Sequence, residues 1–74
     1  DIDKYRRLQE QDDEIIRLRT DVRRAAESKL AHGIIDVNNL VREINAENQA
    51  RLQRSIHELE MLREIYRLRH TLNP

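Results

Sequence analysis

The sequence predicts an all-α fold: a long antiparallel coiled-coil hairpin whose two helices join at a single turn. Three observations support this. The 74 residues include one glycine and one proline, so little interrupts a helix. Apolar residues recur at intervals of three and four along most of the chain. Charged residues make up 38% of the chain and aromatic residues 3%, which is typical of solvated helices and atypical of strands.

The first helix is predicted from about residue 2 to residue 31, where no residue type interrupts a helix. Acidic residues stand four positions before arginines in the pairs Asp3/Arg7 and Asp13/Arg17, a spacing that stabilises exposed helix surface. One row of apolar or small residues, with a glutamine among them, follows the three-four spacing. Its members are Leu8, Gln11, Ile15, Leu18, Val22 and Ala25.

A turn is predicted over residues 32–36. Gly33 accepts the left-handed conformation that ends helices, and Asp36 can cap the free N–H groups of a following helix. The second helix is then predicted from about residue 37 to residue 72. In the alternative, the chain runs straight through Gly33 at a cost of about 1 kcal/mol, and each helix packs on a partner chain.

Folding at Gly33 brings apolar residues of the two helices together in antiparallel register. The expected pairs are Leu8 with Leu59, Ile15 with Leu52, and Ile2 with Ile65. The second helix carries two apolar rows: Val41, Leu52, Ile56, Leu59 and Tyr66 form one, and Leu40, Ile44, Met61, Ile65, Leu68 and Leu72 form the other. One partner helix needs one seam, so two rows indicate either a second neighbour or a wide stripe in a four-helix bundle.

Composition limits the classes of function. The 14 basic residues are matched by 14 acidic ones, whereas nucleic-acid binding needs an uncompensated basic face. No apolar stretch approaches the ~20 residues of a membrane span. A chain this short, without cysteine, is expected to depend on association with other chains. Because the sequence opens on Asp1 without methionine and stops at Pro74 just after a helical pattern, we expect a piece of a longer protein.

No catalytic constellation is visible, and we expect neither an enzyme nor a cofactor. The serines lack a glycine-rich elbow, and no cysteine offers a nucleophile. The best metal candidate is His57 with Glu60 and Glu64, which could share one helix face. Their order reverses the Glu-x-x-His order of di-metal helical proteins, so we interpret them as a solvated face and expect no metal site.

The turn and its surroundings carry a family resemblance. Residues 27–41 place Gly33 three positions before the capping Asp36 and end in a Leu/Val-rich segment, and residues 45–50 are rich in Asn, Gln and Ala. This pattern resembles the outer membrane efflux proteins of the TolC family, specifically their last (C-terminal) periplasmic helical hairpin. The closing residues 66–73 also look like that family's return toward the middle of the barrel, so the resemblance covers nearly the whole chain.

The resemblance implies an architecture and a function. In that family three chains form a β-barrel in the outer membrane, continued by an α-helical barrel through the periplasm, and each wall helix touches a neighbour on either side. The chain would then be a barrel-wall segment of the channel subunit of a tripartite efflux or export system in a Gram-negative bacterium. The full-length protein would be a homotrimer, and its partners would be a periplasmic adaptor protein and an inner-membrane transporter.

The resemblance also implies site residues. The turn would dock the adaptor at the channel entrance through Leu30, Gly33, Ile34, Ile35, Asp36 and Val37. Residues that could line the entrance are Asn39, Arg42 and Glu43. Some relatives carry acidic residues one to two helical turns after the turn, where this chain has Asn39 and Arg42, so an acidic ring is not expected from these two positions.

The sequence leaves two alternatives open, one for the turn and one for the chain as a whole. Ile34 and Ile35 either form an exposed apolar knob suited to a groove between partner helices, or fold back and staple the turn. The chain as a whole is either the channel segment or a generic oligomerising, adaptor-type coiled coil that docks on a partner without lining a pore.

Overall fold

A computed structural model describes residues 2–72; Asp1, Asn73 and Pro74, and the side chain of Leu72, lie outside the described part. Helix α1 runs over Ile2–Ala31 and helix α2 over Val37–Leu72. The two helices pack side by side in an antiparallel hairpin that measures 62 × 17 × 11 Å. Residues 2–72 contain no strand, so the prediction of an all-α helical hairpin is confirmed.

The turn is built from local backbone hydrogen bonds. Gly33 N donates to Leu30 O at 3.0 Å, and Ile34 N donates to Lys29 O at 2.8 Å. These two bonds make a Schellman motif, which requires a left-handed residue after the helix, and Gly33 supplies it with φ +72°. Asp36 Oδ1 then accepts from Asn39 N at 3.0 Å and caps α2. The chain therefore reverses at Gly33, and the straight continuous helix does not occur.

The helices face each other through a largely polar seam. Its α1 residues, buried or half-buried at steps of three and four, are Ile2, Tyr5, Gln9, Asp12, Ile16, Thr20, Arg23, Ala26 and Leu30. Its α2 residues are Leu40, Glu43, Glu47, Ala50, Arg54, His57, Met61 and Glu64. Among the side chains that the structure describes, Ala26 is the one hydrophobic side chain that is buried, and the charged residues Asp12 and Glu47 are buried at other positions along the seam.

Most of the apolar row predicted to line this seam from α1 points away from it instead, although Leu8 is half-buried. Leu18 is 61% exposed, and Ile15 and Val22 are also exposed. On α2 the row containing Leu52 and Leu59 is exposed as well. The prediction that Leu8 meets Leu59, and Ile15 meets Leu52, inside the seam is therefore wrong, because polar contacts hold a neighbouring face of each helix inward.

The axial register agrees with the prediction, and the second apolar row of α2 is the one that lies toward the seam. Ile2 and Ile65, expected to pair, are both half-buried. The second apolar row of α2 contributes Leu40, Ile44 and Met61 to the half-buried surface, although Leu68 is exposed. Asp13 contacts Arg54 across the hairpin, which is the axial register expected from folding at Gly33. Neither helix, within residues 2–72, has an apolar stretch that could cross a bilayer.

Replacing Gly33 with alanine tests the turn. A Cβ at this position would meet nothing within 4 Å, so the cost is the left-handed backbone itself and not a clash. We expect Gly33→Ala to lower the free energy of unfolding by about 1 kcal/mol, measured by urea denaturation at one fixed protein concentration. Gly33→Asn is the matched control, because asparagine tolerates this conformation better; equal losses in both variants would contradict the argument.

Candidate docking turn and outward apolar faces

The turn presents two apolar side chains to solvent. Ile34 is 69% exposed and Val37 is 60% exposed. Ile35 is half-buried and lies along a groove shared with Val22 and Ala26. The two isoleucines thus take different roles: Ile35 folds back against the hairpin, and Ile34 projects from it with Val37. Of the other residues assigned to docking, Leu30 is half-buried, and Gly33 and Asp36 are exposed.

The three candidate entrance residues are not equivalent. Arg42 is exposed and donates a hydrogen bond from Nη2 to Asn39 Oδ1. Asn39 is half-buried, because its backbone N–H joins the Asp36 cap. Glu43 is half-buried in the groove beside Ile35, and its Oε2 atom is buried without a hydrogen-bond partner. Of these three residues, Arg42 is therefore the one whose charge is exposed.

Nearer the turn, the seam contains a charged cluster around Glu47. Arg23 Nε donates to Glu47 Oε1 at 3.1 Å, and Arg23 Nη1 donates to Glu27 Oε1 at 2.7 Å. Arg51 Nη2 lies 3.6 Å from the other oxygen of Glu47. Hydrogen bonding to the Thr20 side chain, followed by that to Arg23, lowers the pKa of the Glu47 carboxyl. Hydrogen bonding to Glu27 and then to Glu47 raises the pKa of Arg23.

Farther from the turn, a second polar cluster joins the helices. His57 Nδ1 donates to the buried carboxylate of Asp12 at 2.6 Å, and Gln53 Nε2 lies 2.9 Å from His57 Nε2. Arg54 Nε donates to Asp13 Oδ1 at 2.6 Å, a hydrogen bond that raises the pKa of Arg54. The His57–Asp12 and Arg54–Asp13 bonds cross the seam, and the contact with Gln53 supports His57. Together the two clusters fix the axial register of the hairpin and the rotation of each helix.

The polarity of the outward side of α2 changes along the length of the helix. Near the turn it is polar, with Asn38, Asn45, Asn48 and Gln49 all exposed. From residue 52 onward it carries large apolar side chains, and those exposed on it include Leu52, Ile56, Leu59, Leu62 and Tyr66. The positions of α2 farthest from the seam carry no acidic residue between residues 38 and 70, because the glutamates of α2 lie in the seam or at its edges.

The metal candidate does not form a site. His57 is engaged with Asp12 across the seam. No group of three or more His, Cys, Asp or Glu side chains within the described part of the chain is placed to hold a metal ion.

No protein-family model matches the chain, and no curated protein or solved structure is significantly similar to it. Its fold is an all-α hairpin.

Sequence reasoning missed the polar seam. It selected the more apolar of two rows that share the same period, and it read the charged residues of the other row as solvent-facing. The signal that could have revealed the seam is the alternation of Asp12, Arg23, Glu47, Arg54 and His57 at seam spacing in both helices. Opposite charges meet when these positions are aligned in antiparallel register.

The Glu47 cluster predicts acid sensitivity. Because the folded-state pKa of Glu47 is lowered from its ordinary value of 4.5, its contribution to stability is present above that value and is lost as the pH falls through the folded-state pKa. We expect a larger drop in melting temperature from pH 7 to pH 3, followed by circular dichroism, in the wild-type chain than in Glu47→Gln. An equal drop in both chains would remove Glu47 from the acid response.

Proposed function

We propose that the chain is a wall segment of an oligomeric helical assembly, specifically the C-terminal periplasmic hairpin of a TolC-like outer membrane channel subunit. One observation carries the proposal: many large apolar side chains point outward from both helices, whereas charged side chains occupy much of the seam between them. A hairpin that functioned alone would bury its apolar rows. Exposed apolar faces of this extent mark surfaces that other chains cover.

The amount of exposed surface supports a role in assembly. A compact monomer of 8.9 kDa is expected to expose about 4,800 Å², whereas this chain exposes 6020 Å². The excess of about 1,200 Å² follows from the elongated shape of the hairpin, which leaves both long sides open. A barrel wall covers each of these sides with a neighbouring helix.

The resemblance of residues 27–50 to the TolC family supports the specific form of the proposal. In this form the chain works in the periplasm of a Gram-negative bacterium, and three full-length subunits build the channel. The turn meets a periplasmic adaptor, which connects the channel to an inner-membrane transporter. Ile34 and Val37 supply the apolar contact with the adaptor. Arg42 lies farther along α2, in the region where some members of the family carry an acidic ring.

Crosslinking in the producing bacterium tests this function. A photo-reactive residue at position 34 is expected to capture a periplasmic adaptor, while the same residue at the exposed position Arg17, far from the turn, is not. Capture of copies of this chain alone at position 34 would instead assign the chain to the alternative class, an oligomerising coiled coil that lines no pore.

The structure separates the two isoleucines of the turn. We expect Ile34→Glu to reduce adaptor crosslinking and export at least about tenfold with unchanged helicity, since an exposed apolar contact of this size is worth about 1.5–3 kcal/mol. Ile35→Glu places a charge against the hairpin and is expected to lower the melting temperature. If Ile34→Glu left docking intact and Ile35→Glu left stability intact, these assignments would be wrong.

A further inference from the structure

We propose that the outward strip of α2 nearest the turn lines the channel entrance and makes that entrance prefer anionic solutes. This entrance strip consists of Asn38, Arg42, Asn45 and Gln49, which are all exposed and follow one another at steps of three and four. The inference rests on the proposed function, because it names the charge of the solutes that the channel admits. It does not involve the apolar residues of the docking turn.

The entrance strip stays in contact with water. Its three amide side chains are exposed, and each carries hydrogen-bond donors and acceptors that would need new partners if protein covered them. Farther along α2 the outward side carries large apolar side chains instead, beginning with Leu52 and continuing through Leu59. A neighbouring helix covers that apolar part at little cost, whereas the amide part next to the turn faces an aqueous space.

The charges at this end of α2 are separated by sign. Residues 37–50 contain three charged side chains, which are Arg42, Glu43 and Glu47. Arg42 is exposed, whereas Glu43 is half-buried in a groove on the side of the hairpin and Glu47 is buried in the seam. Glu47 is also paired with Arg23 there. This part of α2 therefore directs its negative charges inward and its one positive charge outward.

No carboxylate within residues 2–72 neutralises Arg42. Its guanidinium donates to the neutral amide oxygen of Asn39, and none of the ion pairs in the described part of the chain includes it. By contrast, Arg23 and Arg54 each contact two carboxylates. The bond to Asn39 holds the guanidinium of Arg42 against α2 without removing its charge.

Each subunit contributes one such guanidinium to the entrance, and the trimer repeats it around the axis. Rings of arginine or lysine side chains select anions in pores, because a narrow aqueous space between low-dielectric walls concentrates the field of its charges. The amides beside Arg42 can donate hydrogen bonds to a carboxylate or phosphate without adding charge. Attraction therefore remains weak enough for the anion to leave again, which passage through a pore requires.

The ion selectivity of the full-length channel tests the charge. In a planar bilayer under a KCl gradient, the reversal potential gives the chloride-to-potassium permeability ratio, and we expect chloride to be the more permeant ion. Arg42→Gln is expected to lower this ratio at least about twofold, and Arg42→Glu to make potassium the more permeant ion. Arg42→Lys should keep the wild-type ratio, as should the control Arg17→Gln, which removes an exposed arginine far from the turn. An equal ratio in the wild type and all variants would overturn the proposal.

Cysteine labelling of the assembled channel tests whether the strip faces water, since this chain contains no cysteine. In a subunit otherwise free of cysteine, Asn45→Cys is expected to react faster with an anionic than with a cationic methanethiosulfonate, after correction for their rates with a free thiol. Arg42→Gln should remove the difference. Leu59→Cys is the control and should resist both reagents. An Asn45→Cys channel that reacts with neither reagent would show that protein covers the strip, and the proposal would fall.

These outcomes separate the inference from the function on which it rests. A channel whose ion preference is indifferent to the residue at position 42 sinks this inference alone. A full-length protein that forms no channel in the bilayer sinks the channel function and this inference together. Adaptor capture at position 34 is measured independently of both.

Discussion

The buried carboxylates of Asp12 and Glu47 constrain how the two helices face each other. A carboxylate removed from water is costly unless charged or hydrogen-bonding partners surround it. Asp12 finds His57 on the other helix, and Glu47 finds Arg23. Both partnerships cross the seam, so rotating or sliding either helix would leave a buried charge without compensation. Such contacts are a stronger source of specificity than of net stability.

This constraint explains the distribution of apolar residues. Because charged side chains occupy central positions of the seam, the apolar row of α1 through Ile15 and Leu18 and the row of α2 through Leu52 and Leu59 lie on other faces. The seam buries one hydrophobic side chain, Ala26, among those described, and most of the hydrophobic stabilisation available to the chain is therefore unused in the single hairpin. Neighbouring chains can supply the missing burial.

The turn is independent of this seam in its construction. Gly33 and Asp36 close it through backbone hydrogen bonds and a cap, without tertiary contacts. Ile35 anchors it to the hairpin, which leaves Ile34 and Val37 free at the end of a rod 62 Å long. A contact surface at the end of a rigid hairpin moves little when the sides of its helices make contacts. Docking at the turn and packing along the helices can therefore use separate residues of one short chain.

The helices, the position of the turn and the antiparallel register could be predicted from the sequence, because they depend on local features: the backbone freedom of Gly33, the cap of Asp36 and an uninterrupted helical pattern. Tertiary structure alone decided which row of each helix faces inward. The apolar row through Ile15 and Leu52 and the polar row through Asp12 and His57 share the same period. Periodicity therefore cannot show which of the two rows faces the other helix. The choice follows from whether buried charges find partners across the seam, and that depends on distances between residues far apart in the chain.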